Sequence, residues 1–153
     1  NPRSLKVIKP EQFHITLHFF GDCTPEQRAM IEAGLPDIAA TTGPFEIEIG
    51  GVSAFLSAIV IPVVTNRELI IALGLGIRQL AGTIGMPTTG HAINPHITIA
   101  RLKDGDNPMD HMDDEEAEEA YRWDAKSLVL YQSTLTASGS IYTELLRVPL
   151  GAG

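Results

Sequence analysis

The tetrapeptide His-Ile-Thr-aliphatic occurs twice in this chain, as His14-Ile15-Thr16-Leu17 and as His96-Ile97-Thr98-Ile99. Each copy sits in a β-type run, residues 13–19 and 95–100. Successive side chains of a strand point to opposite faces, so His and Thr leave on one face and the aliphatic residues on the other. The two histidines are 82 positions apart, a spacing that favours two related half-structures over one local motif. Two strands that each present a polar His/Thr pair are expected to face a shared cleft. Two imidazoles across a cleft can act as a general acid and a general base near neutral pH.

The rest of the chain reads as alternating strands and helices. Residues 5–9 form a short strand ending at Pro10, and 13–20 the first motif strand, closed by Gly21-Asp22. Thr24-Pro25-Glu26-Gln27 is a helix start, with Thr24 as N-cap, Pro25 in the first helical position and Gln27 completing a capping box. That helix is expected to reach about Ala40, with Pro36 an early stop signal. Residues 45–49 alternate as a strand with one wet face, Gly50-Gly51 turn, and 58–64 form a buried aliphatic strand. Asn66 is placed to cap a second helix, in which Leu69, Ile70, Leu73, Ile77, Leu80, Ala81 and Ile84 recur at helical spacing before Gly85 and Pro87 end it. A loop over 88–95 leads to the second motif strand. Residues 104–113 are a polar connection and 114–122 a short acidic helix. Strands 127–136 and 141–148 join through Ser138-Gly139-Ser140 as a hairpin. The order predicts an α+β fold with mostly antiparallel sheet and helices outside.

At 153 residues with 44% hydrophobic content, the chain suits one domain, 1–153, of two lobes. No apolar run approaches the ~20 residues that span a bilayer. Cys23 is the only cysteine, which excludes an intrachain disulfide and a cysteine-rich metal site. The N-terminus shows no basic region followed by an apolar stretch, so a cytoplasmic protein is expected. The net charge of −8 is local in origin. Ten of the nineteen acids lie between Asp104 and Asp124 with Arg122 the one base among them, leaving nine acids against ten Lys/Arg elsewhere. The remainder of the chain can therefore still hold a phosphate.

The stretches Phe13-His14-Ile15-Thr16-Leu17-His18-Phe19-Phe20-Gly21-Asp22 and Asn94-Pro95-His96-Ile97-Thr98-Ile99-Ala100-Arg101 resemble the two-histidine (2H) phosphoesterases. Within that superfamily they look like the RNA 2′,3′-cyclic phosphodiesterase branch, also called 2′-5′ RNA ligase. Lys9-Pro10-Glu11, Tyr131-Gln132-Ser133-Thr134-Leu135 and Ile141-Tyr142 support the likeness, which runs from about Pro2 to Leu150. The resemblance implies a bilobal, pseudo-symmetric fold with two sheets facing a central cleft. Members usually carry a further strand and helix ahead of Lys9-Pro10. Either the sequence is a fragment or its first lobe lacks both, which would expose a sheet edge.

The resemblance also implies a reaction. Opening a 2′,3′-cyclic phosphate requires water to lose a proton as it attacks phosphorus and the departing ribose oxygen to gain one. His14 and His96 are the expected catalytic pair, with Thr16 and Thr98 donating to the non-bridging oxygens. The family product, a 2′-phosphate, assigns His14 to the departing 3′ oxygen and His96 to water; the sequence orders the roles neither way. Arg101 matches the family's phosphate-binding arginine, and a guanidinium suits phosphate. Strict alternation nevertheless sets Arg101 with Ile97 and Ile99, opposite His96, unless the strand ends, bulges or twists first.

Phe20, Phe55, Tyr131 and Tyr142 are candidate base-stacking platforms, each with an alternative place in the core or at an edge. His18 shares the parity of His14 and Thr16 but is read as a solvated strand residue, and His91 and His111 as surface residues. A zinc site of His14, His18 and His96 would lack supporting cysteines or carboxylates, so no metal and no cofactor is expected. The expected function is metal-independent hydrolysis of 2′,3′-cyclic phosphate ends of RNA or nucleotides by a monomer, with 2′-5′ ligation as the reverse reaction. The alternative is a nucleotide-binding module of the same fold without turnover. No membrane or protein partner is implied.

Overall fold

The structure is a computed structural model that describes residues 5–7, 13–55, 58–88, 90–102, 121–137 and 139–151, with residues 5–7, 54–55 and 102 described by backbone alone. Its elements run β1 (Leu5–Val7), α1 (Pro25–Ala39), β2 (Phe45–Ile49), β3 (Ser53–Phe55), β4 (Ala58–Pro62), α2 (Arg67–Ile84), β5 (His96–Leu102), β6 (Tyr121–Ala125), β7 (Ser127–Thr136) and β8 (Gly139–Pro149). This is an α+β fold. Every ladder whose register is established here, β1–β5, β3–β4, β4–β5 and β7–β8, is antiparallel. Two compact units emerge. The first takes its described residues from 5–7, 13–16, 47–55, 58–67, 94–102 and 121–123; the second takes 17–46, 68–88, 90–93, 124–137 and 139–151.

The first unit is built on a four-stranded sheet in the order β1-β5-β4-β3. The pairing of β4 with β5 is irregular: Val60 faces Thr98 and Ile59 faces Ala100, which leaves Ile99 as a surplus residue in β5. The opposite edge of β5 is shared. Leu102, Arg101 and Ala100 pair with Leu5, Lys6 and Val7 of β1, and Ile97 then forms an antiparallel bridge with Ile15. Ile59 and Ala100 are buried together, with Val52 and Ile99 packed against them. Beyond β4, Val63 bridges Ile49, its N–H donates to the Pro95 carbonyl (3.1 Å), and the Val64 N–H donates to the Glu48 carbonyl (2.8 Å).

The second unit is helical with a hairpin. In α1 the capping box forms as the sequence predicts: the Gln27 N–H donates to Thr24 Oγ1 (3.1 Å) and the Thr24 N–H to Gln27 Oε1 (2.9 Å). Pro36 does not end the helix, which runs through it to Ala39. Ile31, Leu35 and Ala39 recur every four residues and are buried, so one continuous apolar stripe offsets the hydrogen bond that the proline lacks. They pack with Leu73, Ile77 and Ala81 of α2, with Met86, and with Leu128, Val148 and Leu150 from the hairpin region. Asn66 precedes α2 with φ 58, a left-handed conformation rather than the extended one usual at an N-cap. β7 and β8 pair along their length, with a register shift after Leu130.

Three expectations need correction. The segment 13–20 is not a paired strand; Ile15 alone bridges, because in this antiparallel register the residues after Thr16 run past the start of β5 at His96 and the chain bends at Leu17. Tyr121 and Arg122 open strand β6, paired with β2, and are not the end of an acidic helix; the remainder of that expected helix lies outside the described residues. Strands β3 and β6 were both unforeseen.

Candidate active site

The bridge between Ile15 and Ile97 sets the geometry of both motifs within the first unit. Carried one residue outward each way, its antiparallel register puts His14 opposite Thr98 and Thr16 opposite His96. Residues directly opposite in an antiparallel pair project from the same face, so all four polar side chains share one face. Ile97, 8% exposed, marks the other. His14 and His96 then stand diagonally, an arrangement that separates neighbours by about 7–8 Å. His14, His96 and Thr98 are half-buried, whereas Thr16 is exposed. The motifs were expected on two half-structures across a cleft; the bridge sets them side by side.

The surplus residue in β5 removes the difficulty over Arg101. His96, Thr98 and Arg101 pair with Pro62, Val60 and Ala58. Those three alternate along β4 and share a face. Because Ile99 is not counted in the ladder, Arg101 joins the face of His96 and Thr98 instead of the opposite one. Val60 and Ala58 are buried, so this face is apolar on its β4 side. An exposed guanidinium, two hydroxyls and two imidazoles thus share it.

His96 has a defined tautomer. Its Nδ1 lies 2.5 Å from the Asn94 carbonyl oxygen. A carbonyl can only accept, so Nδ1 carries the proton and donates, and Nε2 becomes the nitrogen that takes up or releases one. The sequence reading missed this role of Asn94, which is played by its main chain and leaves no side-chain signal.

The other candidates belong to other elements. Phe20 packs against the core of the second unit. Tyr131 and Tyr142 belong to the β7–β8 hairpin of that unit, with ring centroids 6.1 Å apart in an edge-on contact. Phe55 is in β3, and its side chain is outside the described residues. His18 is not a solvated strand residue. The chain bends at Leu17, which ends the alternation, and the His18 ring lies edge-on to Phe20 at 4.7 Å with Nε2 shielded from solvent and without a hydrogen-bond partner among the described residues. Burial holds its pKa below the ordinary value of 6.5, and the positive charge of Arg78 adds to the effect. His91 is exposed, as expected, and its carbonyl accepts from Arg78 (2.7 Å). His111 lies outside the described residues. Arg122, the one base in the acidic run, donates to Glu48 of β2 at 2.6 Å. That bond, followed by one from Thr65, holds the Glu48 carboxyl below its usual range. Among the described residues no group of three or more His, Cys, Asp or Glu side chains is placed to hold a metal ion, and no helix is long and apolar enough to cross a membrane.

An antiparallel α+β scaffold with two His/Thr pairs and an arginine on one face defines a phosphoesterase of the two-histidine class. Residues 1–60 and 61–142 match the LigT-like phosphoesterase family, and the chain belongs to that family. It is 28% identical over 158 residues to the RNA 2′,3′-cyclic phosphodiesterase of Aquifex aeolicus, covering 95% of this chain and 82% of that one. Similarity to the protein of the same name from Aeropyrum pernix is 27% over 162 residues, covering 94% and 85%. The fold matches the crystal structure of Escherichia coli LigT complexed with 3′-AMP, with a TM-score of 0.78 at 18% identity over 98% of this chain and 83% of that one. A crystal structure described as a phosphoesterase matches with a TM-score of 0.79 at 19% identity, covering 98% and 83%.

Proposed function

We propose that this chain, acting as one two-lobed domain, hydrolyses the 2′,3′-cyclic phosphate ends of RNA or nucleotides to 2′-phosphates. His96 Nε2 takes a proton from water as the water oxygen bonds to phosphorus. The P–O3′ bond breaks in line, and His14 gives its proton to the departing O3′. Thr16 and Thr98 donate to the non-bridging oxygens, and Arg101 balances their charge, so the groups meet the negative charge where it grows. With a 5′-hydroxyl in place of water, the same steps join two ends through a 2′-5′ linkage. Water and the 5′-hydroxyl compete for the same phosphorus, and water at roughly 55 M favours hydrolysis by mass action.

The observation that carries this reading is the common face of the two His/Thr pairs. The names of the Aquifex and Aeropyrum relatives support the substrate class, and the 3′-AMP held by the E. coli protein supports a nucleotide-sized site. The test is incubation with a 2′,3′-cyclic nucleotide and with a cyclic-ended oligoribonucleotide, EDTA present, reading the position of the product phosphate. The expected product is the 2′-phosphate. His14→Ala and His96→Ala should each lower kcat by roughly 10²–10⁴-fold. Full turnover in either variant would reject paired acid–base catalysis. Tight nucleotide binding with no turnover would favour a binding module.

A further inference from the structure

We propose that Arg67 and Asn94 form a clamp that fixes the orientation and tautomer of the His96 imidazole, which makes both of them positioning residues. The inference rests on His96 being the proton-exchanging group described above. The Asn94 carbonyl that accepts from His96 Nδ1 lies in the segment entering β5, outside any ladder. Two restraints hold it. Pro95, fully buried, confines the preceding residue to extended backbone. Asn94 Oδ1 accepts from Arg67 Nη2 at 2.9 Å. The other arm of the same guanidinium, Nη1, donates to the Val63 carbonyl at 2.7 Å, and the Val63 N–H donates to the Pro95 carbonyl at 3.1 Å.

These bonds close a ring. The exit from β4 is tied to the lead-in of β5 by one main-chain bond and by one planar fork, and the His96 ring hangs from the tied segment. Both oxygens that Arg67 grips here are neutral, so the side chain holds geometry rather than cancelling a charge. A lysine offers a point charge without two donors in fixed spacing and cannot replace the fork. Without the fork, Pro95 alone restrains Asn94, whose carbonyl can then turn from Nδ1 within the extended range and release the bond that selects the tautomer.

The test uses protein labelled with ¹⁵N in histidine. Wild-type His96 should show protonated Nδ1 when neutral. Arg67→Ala and Asn94→Ala should each admit the Nε2-protonated form and lower kcat by roughly 10–100-fold, the scale expected for a small misplacement of a reacting group, with KM nearly unchanged. Asn94→Asp keeps an acceptor for Arg67 and should retain both tautomer and turnover. If Arg67→Ala does not fold, Asn94→Ala leaves every strand and helix residue intact and decides the matter alone. A wild-type tautomer in Asn94→Ala overturns the clamp, whether or not kcat falls. Full turnover in His96→Ala would instead reject the reaction assignment, while the nitrogen spectra would still judge the clamp.

Discussion

The second unit packs two helices and a hairpin around one apolar core, whereas the first is built on a four-stranded sheet. In the second, Ile31, Leu35 and Ala39 of α1 meet Leu73, Ile77 and Ala81 of α2 over Leu128 and Val148, in a continuous apolar core. The first buries Ile47, Ile49, Ile59, Val60, Val63 and Ile97 as well, and adds ladders and single hydrogen bonds that set position: a bridge at Ile15, a surplus residue at Ile99, a fork at Arg67. The polar groups of the candidate site all lie in the first unit. Chemistry that needs placement thus sits where a ladder, a bulge and single directional bonds are added to a buried apolar layer.

That contrast can be broken by substitution. The largest effect is expected from Ile31→Ala, which should cost about 2–5 kcal/mol of stability and lower the melting temperature while leaving kcat per folded molecule unchanged. A matching loss of kcat at full folding would contradict the division. Next is Arg101→Ala, in the first unit. Loss of a hydrogen bond to a charged phosphate should cost roughly 1.5–3 kcal/mol in kcat/KM, with the urea midpoint unmoved. Thr24→Ala removes the cap of α1 and should cost about 1 kcal/mol, read from the same urea midpoint, with kinetics unaltered. The smallest effect concerns His18, whose ring is only partly buried. Its folded pKa is lowered, so its contribution is fully present above the unfolded value near 6.5 and is lost as pH falls through the lower folded value. The midpoint should therefore decline more steeply on acidification in wild type than in His18→Phe; equal slopes would remove His18 as the cause.

The sequence was most legible where structure is local. The capping box of Thr24 and Gln27 spans four residues and formed as read. The spacing of Leu73, Ile77 and Ala81 placed α2 because a helical stripe is written in one segment. Illegible features depended on a distant partner. Alternation over 13–20 reads as a strand, yet pairing there stops where β5 begins, since the residues after Thr16 run past His96 and the chain bends at Leu17. β6 did carry a signal, since Tyr121 and Trp123 alternate with Arg122 and Asp124, but the acids preceding it drew the reading toward a helix. Within the candidate site, the two His-Ile-Thr motifs were picked by type and spacing, and the structure bridges their segments at Ile15 and Ile97. The facing of Arg101 was not readable, because a bulge is a relation between two strands.

Ile99, surplus in the ladder with β4, bears on how chains of different length are compared. Along β5, position is counted by rungs shared with β4, not by residues. Removing Ile99 would shorten the chain by one and leave Thr98 and Arg101 on the rungs they already hold. Removing Ile97 would turn over everything that precedes it relative to Arg101. In an alignment with a shorter relative, the gap therefore belongs at Ile99, and a gap two positions earlier would describe a different surface.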